Sequence, residues 1–344
     1  MIDDPRRWAA LAMLLAPALL FARVASQAPV PRTAAAASRA AGAESVEIER
    51  VVDGDTIHVR RAGKIEKLRL VSVDTEERLG EGHSSSPTKP QTVFGEECAI
   101  WAERLFAGLG TAGGKARVGL VFPGGVEERD AYGRLLCRVL LPDGTDYNLM
   151  LVQLGRSPYF NKYGNDLEDH AAYVAAQDAA RRARRGIWNP ATNEAKTPGA
   201  PSAKRPYSRL LPWWDARAAA VDAYRERAAK EPGAVADAED AASLARAARS
   251  GREVDVFGEI DRLFDESDGS RTVLFRASNK DKSLRVRIPL SARRAHESFG
   301  WESVTRDFRQ NYVWVRGRVE IGQRGFEMRS SAVDRWRLAG PEPD

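Results

Sequence analysis

Two short strand-like runs, each ending in carboxylates, constrain this chain more than any other feature. Val51-Val52-Asp53-Gly54-Asp55-Thr56-Ile57 sets two aspartates around a glycine, a combination that suits a tight turn and lets backbone oxygens approach a ligand closely. Leu68-Arg69-Leu70-Val71-Ser72-Val73 answers it and runs into Asp74-Thr75-Glu76-Glu77. Carboxylates gathered beside one arginine repel each other unless a cation sits among them or solvent separates them. Oxygen ligands favour calcium or magnesium over zinc. Taken alone, Asp-Gly-Asp is more often a solvated turn than a metal site, and Arg69 is equally a strand arginine paired with a surface carboxylate.

A third segment, Arg129-Asp130-Ala131-Tyr132-Gly133-Arg134-Leu135-Leu136, adds a second arginine just before another apolar run. In order and spacing the three segments, with the ending Arg185-Gly186-Ile187-Trp188, resemble the staphylococcal nuclease, or thermonuclease-like, family from about residue 46 to 190. The resemblance implies a five-stranded OB barrel with three helices that hydrolyses DNA and RNA with calcium. It assigns Asp55 and Asp74 as calcium carboxylates and Thr75 as the backbone-carbonyl ligand. Glu77 becomes the glutamate beside the attacking water, and Arg69 and Arg134 the pair that holds the scissile phosphate. The family carries proline between the threonine and the glutamate. Here Glu76 adds a negative charge that either shifts the loop or changes how the metal is held. These roles suit the chemistry, because water attacking a phosphodiester builds negative charge that a cation and two guanidinium forks stabilise. Glu77 acts either as general base or by orienting water.

At 344 residues the length fits about two domains, and a 43% hydrophobic content is enough to give each a core. The net charge of +5 suits a polyanionic partner without requiring one. Arg6-Arg7, the apolar run 8–22 and the small residues after Val24 have the layout of a secretory signal peptide over 1–28. The apolar run is short for a span, which takes about 20 residues, so an uncleaved membrane anchor is the alternative. The expected location is secreted or periplasmic, at the cell envelope. Residues 29–43, rich in alanine, proline and arginine, read as a disordered leader.

Within the expected barrel region, 44–190, residues 79–91 read as a flexible loop, and Phe94–Leu109 has helical spacing. Strands are expected over 116–122 and 135–141, and helices over 148–154 and 167–185. His58 reads as a surface strand residue. The only two cysteines, Cys98 and Cys137, fall on inward faces, either as buried thiols or as a disulfide. Four scattered histidines give a zinc site no support. By the resemblance, Tyr159 packs beside a bound nucleotide. Asn161 takes a second tyrosine's place, so base stacking is either weaker or supplied by Tyr163.

Residues 191–252 read as a proline-rich linker and a helical spacer, with helices from Pro212 to about Lys230 and over 234–250, and with Trp213 and Trp214 as anchors. From 253 to 340 strands return over 254–264, 271–277, 284–288, 312–320 and 326–329, with a helix after the third. That is the order of a second OB-like barrel. Period-2 reading puts Arg285 and Arg287 on one face of their strand, and Trp314, Arg316 and Arg318 together on one face of theirs. Arginines interleaved with aromatics track a nucleic-acid backbone; the alternative is a solvated face of ion pairs, with Trp314 covered by the helical spacer. The expected fold is thus mostly β with helices. The expected function is an exported calcium-dependent nuclease acting on DNA or RNA, against the alternative of a binding module that has lost catalysis.

Overall fold

The computed structural model describes residues 42–82, 85–110, 114–130, 132–194, 202–277, 282–301, 304 and 311–340. The expected signal peptide or anchor, almost all of the expected leader, and His83-Ser84 of the expected loop lie outside the described residues. No helix among the described residues is long and apolar enough to cross a membrane. From Glu44 onward the chain forms one compact unit.

The first half is a closed five-stranded barrel. Strands β1 (Glu44–Val51), β2 (Thr56–Arg61) and β3 (Lys64–Leu70) form a meander. Helix α1 (Val93–Leu109) comes before β4 (Arg117–Val121), the two-residue β5 (Glu128–Arg129) and β6 (Leu135–Leu140). Closure comes from β4 lying antiparallel to β1 and β6 while β6 runs parallel to β3. The β2–β3 hairpin turns through Ala62 and Gly63, both at positive φ, which matches the twist of the flanking strands. Alternating Val46, Ile48, Ile57, Val59, Leu68, Leu70, Val118 and Leu120 fill the interior. The helices α2 (Tyr147–Gln153) and α3 (His170–Arg182) close one side. Cys98 and Cys137 are both free and buried, and burial pushes each thiol up to about 12.

Helix α4 (Tyr207–Lys230) starts five residues ahead of the expected Pro212. The proline lies inside the helix rather than at its start. The expected second helix divides: β7 (Val235–Asp237) adds a parallel strand to the second sheet, and only Ala241–Ser250 (α5) is helical. Val235 and Ala236 are buried, so tertiary pairing overrides the helix propensity of this alanine-rich stretch.

The second sheet runs β12-β13-β10-β9-β8-β11-β14. Its members are β8 (Glu253–Asp265), β9 (Arg271–Phe275), β10 (Leu284–Ile288), β11 (Tyr312–Arg318), β12 (Glu320–Gly322), β13 (Gly325–Arg329) and β14 (Trp336–Leu338). Helix α6 (Leu290–His296) follows the third strand. Its ladders repeat those of the first barrel: a long first strand shared with the second and fourth, and a parallel pairing of third with fifth. The antiparallel rung that closes the first barrel between β4 and β6 has no counterpart in this sheet among the described residues.

Candidate active site

The Asp-Gly-Asp turn is held by its neighbours. Asp53 accepts the Asp55 amide through Oδ1 at 3.0 Å. Gly54 is required for room: a Cβ there would meet Thr75 Cγ2 at 2.6 Å and the Cys98 sulfur at 2.7 Å. Strand β3 stops at Leu70, and Ser72, at φ 63°, turns the chain so that Asp74–Glu77 fold back over the turn. The Thr75 amide then donates to Asp55 Oδ2 at 2.6 Å, and its hydroxyl to the same oxygen at 3.2 Å.

Arg69 ties the two runs together. Its Nη1 lies 2.6 Å from Asp55 Oδ1 and its Nη2 2.7 Å from Asp74 Oδ1. Glu77 joins through Lys89, whose Nζ lies 2.8 Å from Glu77 Oε1, 3.0 Å from Asp74 Oδ1 and 3.9 Å from Asp55 Oδ2. Helix α1 presses on this loop at Gly95, where a Cβ would sit 2.0 Å from the Glu77 carbonyl oxygen. A third cation comes from beyond the barrel: Arg205 pairs with Asp74 Oδ2, donates to the Asp74 carbonyl at 2.9 Å and donates to the Thr88 carbonyl at 3.0 Å.

The electrostatics follow from this packing. Burial would raise Asp74, but Arg205, Lys89 and Arg69 hold it far below the carboxylate range. Asp55 is lowered in the same way, with Arg69 and Lys89 outweighing its burial. Burial disfavours the charged amine of Lys89, yet Asp74 and Asp55 raise it above the lysine range. Among the described residues no cation pairs with Asp53, and burial together with Asp55 pushes it up to about 7.

Glu76 takes no part in the cluster. Its Oε2 accepts from the Thr92 hydroxyl at 2.5 Å and from Asn193 at 2.7 Å, and its Oε1 accepts from Tyr207 at 3.1 Å. Thr92 also caps α1 through the Gly95 amide. The extra carboxylate therefore anchors the α1 N-terminus and the start of α4, and Glu77 meets Asp74 through Lys89.

The structure brings Asp55, Asp74, Thr75, Arg69 and Glu77 together. Arg134 stands apart: Asp130 holds its guanidinium at 2.6 and 2.7 Å, and no bond among the described residues joins it to the cluster. Register still places it on the face of Arg69, because Leu136 pairs with Arg69 and Arg134 precedes it by two residues.

Two expectations require correction. Tyr159 is buried, stacks on Tyr173 at 5.1 Å and accepts the Asp166 amide at 2.8 Å. The core uses both its ring and its hydroxyl, which leaves no face for a nucleotide. Trp314 is likewise buried, against Tyr224 of α4 and Phe257 of β8, so the helix covers it. Tyr163 is 53% exposed, with its ring edge-on to Phe160, and Phe160 lies 5.7 Å from the Arg69 guanidinium. Asn161 instead donates to Asp215 of α4 at 2.9 Å.

The four second-sheet arginines do not form one face. Arg287 pairs across β9 with the C-terminal end of β8, whereas Arg316 and Arg318 pair with Asp255 and Glu253 at its N-terminal end. Arg287 also binds Asp268, Arg285 the Arg324 carbonyl, and Arg316 lies 3.6 Å from Glu253.

Sequence reasoning missed Lys89, Gly95, Asn193, Arg205 and Tyr207. A threonine just ahead of a helical run does signal an N-cap, but nothing local marks a loop lysine or a linker arginine as part of an acidic cluster.

Residues 67–190 match the family described as staphylococcal nuclease homologue. Endonuclease YhcR of Bacillus subtilis (strain 168) is 34% identical over 144 residues, which cover 41% of this chain and 11% of that protein. An uncharacterized endonuclease of Escherichia coli O157:H7 is 28% identical over 144 residues, 42% of this chain and 76% of that protein. A thermonuclease of Staphylococcus hyicus is 28% identical over 153 residues, 43% and 78%. Asp55 and Arg205 both lie outside the residues that match the family.

Proposed function

We propose, from a chain whose residues 67–190 are a staphylococcal nuclease-like domain, that the protein hydrolyses phosphodiester bonds of DNA or RNA with a divalent cation, calcium in the first place. The observation that carries this reading is the Arg69 fork, which holds Asp55 of the turn before β2 and Asp74 of the loop after β3, with Glu77 joined to Asp74 through Lys89.

The donors suit a hard cation, since all are oxygens: the Asp55 and Asp74 carboxylates with the Thr75 carbonyl, and Glu77 beside them. The Lys89 ammonium already stands among the three carboxylates as a cation, although among the described residues no three of these side chains are spaced as a metal cage. When bound, the ion supplies charge that polarises the phosphodiester and makes water more acidic. Arg69 holds the phosphate and the charge that develops on its oxygens, and Arg134, on the same barrel face, supplies the second fork once it leaves Asp130. Glu77 accepts a proton from the attacking water or orients it. Tyr163, beside Phe160, is the ring left for stacking a base. Export, with the apolar N-terminal run either as a signal peptide or as an anchor, remains part of the proposal on the pattern of residues 6–28.

A second reading, a nucleic-acid or protein-binding module without cleavage, is favoured by one observation: Arg69, Lys89 and Arg205 already neutralise the three carboxylates. Incubation of the purified protein with single-stranded DNA, duplex DNA and RNA, each in calcium, magnesium or chelator, separates the two. Cleavage in calcium that chelator abolishes and Asp55→Ala removes supports the nuclease. Tight binding of the same substrates without cleavage in any ion favours the module.

A further inference from the structure

The acidic cluster carries its own cations. Asp55, Asp74 and Glu77 face Arg69, Lys89 and Arg205, so the three carboxylates in contact with cations are matched one for one before any metal arrives, with Asp53 a further carboxyl group beside them. A neutral cluster has little attraction for a divalent ion and none for a phosphodiester. One of the resident cations has to leave.

Only one is placed to do so. The Arg205 side chain is 3% exposed and fastened at Thr88 and at two Asp74 oxygens. The Arg69 side chain is 13% exposed, forked between two aspartates and carried by a central barrel strand. The Lys89 side chain is 23% exposed and extends on a four-carbon stem from a short turn. The Ser86 amide donates to the Lys89 carbonyl at 3.0 Å, and the Lys89 amide donates to the Ser86 carbonyl at 3.1 Å. These bonds, with Arg205 on the Thr88 carbonyl, fix the backbone of the turn. The lysine stem can swing out while its base stays in place.

We infer that Lys89 is a removable counter-ion of the carboxylate cluster, and that a divalent cation enters by displacing its ammonium, so that this lysine sets the affinity of the site for metal. The inference rests on the reading of the cluster as a metal site. Exchange has a consequence for substrate. Two guanidinium groups and a divalent ion against three carboxylates leave one positive charge, which matches the single negative charge of a phosphodiester. With Lys89 inside, the cluster is neutral; with metal inside, it attracts substrate.

Calcium binding to the full chain, measured by titration calorimetry on the wild type, Lys89→Met and Lys89→Gln, tests this without reference to turnover. Both variants should bind calcium at least tenfold more tightly than the wild type. Their melting temperatures should fall in chelator and recover in calcium by more than the wild type's does. Gln serves where Met fails to fold, since it keeps hydrogen-bond donors in the cluster. Equal or weaker calcium affinity in the variants would overturn the role of Lys89. Cleavage assays on the same samples keep the two proposals apart: wild-type calcium binding and cleavage with no gain in either variant sinks only the exchange. Absence of calcium binding in all three proteins sinks both the exchange and the metal-dependent reading.

Discussion

Asp53 and Asp74 are both buried carboxylates near the same arginine, yet their surroundings drive them in opposite directions. Asp74 touches Arg69, Lys89 and Arg205 and stays ionised. Asp53 accepts only a backbone amide and is pushed up to about 7. Because the folded state holds the Asp53 proton more tightly than an unfolded chain does, with its ordinary value of about 3.9, the stability it contributes is fully present below about pH 4. That stability is lost as pH rises through about 7. Asp53→Asn keeps the acceptor oxygen and removes the titration. In chelator, the variant should therefore gain about 2 kcal/mol on the wild type between pH 5 and pH 8, read by denaturant unfolding at the two values. A constant difference would mean that Asp53 ionises alike in both states.

Helix α4 and the segment that leads into it behave as part of the barrel. Trp214 is buried with its ring edge-on to Phe160 at 4.8 Å, Asn161 and Asn165 donate to Asp215 and Asp222, and Arg205 and Tyr207 reach Asp74 and Glu76. Among the described residues Glu76 is satisfied through the α1 N-cap Thr92, Asn193 and Tyr207 of α4. Removing one partner of a buried ion pair leaves its charge uncompensated, a loss of about 3–5 kcal/mol when no other partner remains. Asp74 keeps Arg69 and Lys89, so Arg205→Met should cost less, about 2 kcal/mol, with a matching fall in melting temperature. A wild-type melting temperature in this variant would mean that apolar packing alone docks the segment. The residues that match the family end at Pro190, ahead of Arg205 and α4, but include their partners Asp74, Glu76, Phe160, Asn161 and Asn165.

Across the whole molecule, α4 joins two sheets built with the same order of ladders. Arg217, fully buried, donates to the Lys162 carbonyl of the first half at 3.2 Å and to Glu259 of the second at 2.9 Å. On the second sheet, Arg285 and Arg287 belong to one end of β8 and Arg316 and Arg318 to the other. If both pairs meet a long nucleic acid, they do so as separate contacts. The double variants Arg285→Ala/Arg287→Ala and Arg316→Ala/Arg318→Ala should each lower the salt dependence of binding by at most about two released counterions. Their effects should add in the quadruple variant, as those of distant sites do. A quadruple loss well beyond the sum would show one continuous face, and unchanged slopes would leave these arginines to their carboxylates.

Periodicity and turn chemistry made much of this fold legible, because they are local. Alternation located β6, β8, β9 and β10 to within a few residues, and helical spacing located α1. Asp55 and Arg69 sit at strand ends whose pairing the same alternation dictates, and Asp74 and Glu77 follow in the loop just beyond β3. What local pattern could not reveal was how charges and rings from distant segments share one space. Lys89 lies in a stretch that reads as a flexible loop and Arg205 in one that reads as a linker, and only folding brings them against Asp74. Tyr159 and Trp314 have the residue type of a stacking platform, but a side chain's face says nothing about what later packs on it. The Val235–Asp237 strand and the order of the second sheet likewise depended on pairing partners elsewhere in the chain. Sequence determined most of the strands and the chemical identity of the acidic cluster; tertiary structure decided which cations neutralise it and which aromatic faces stay open, because burial and long-range ion pairing exist only once the chain has closed on itself.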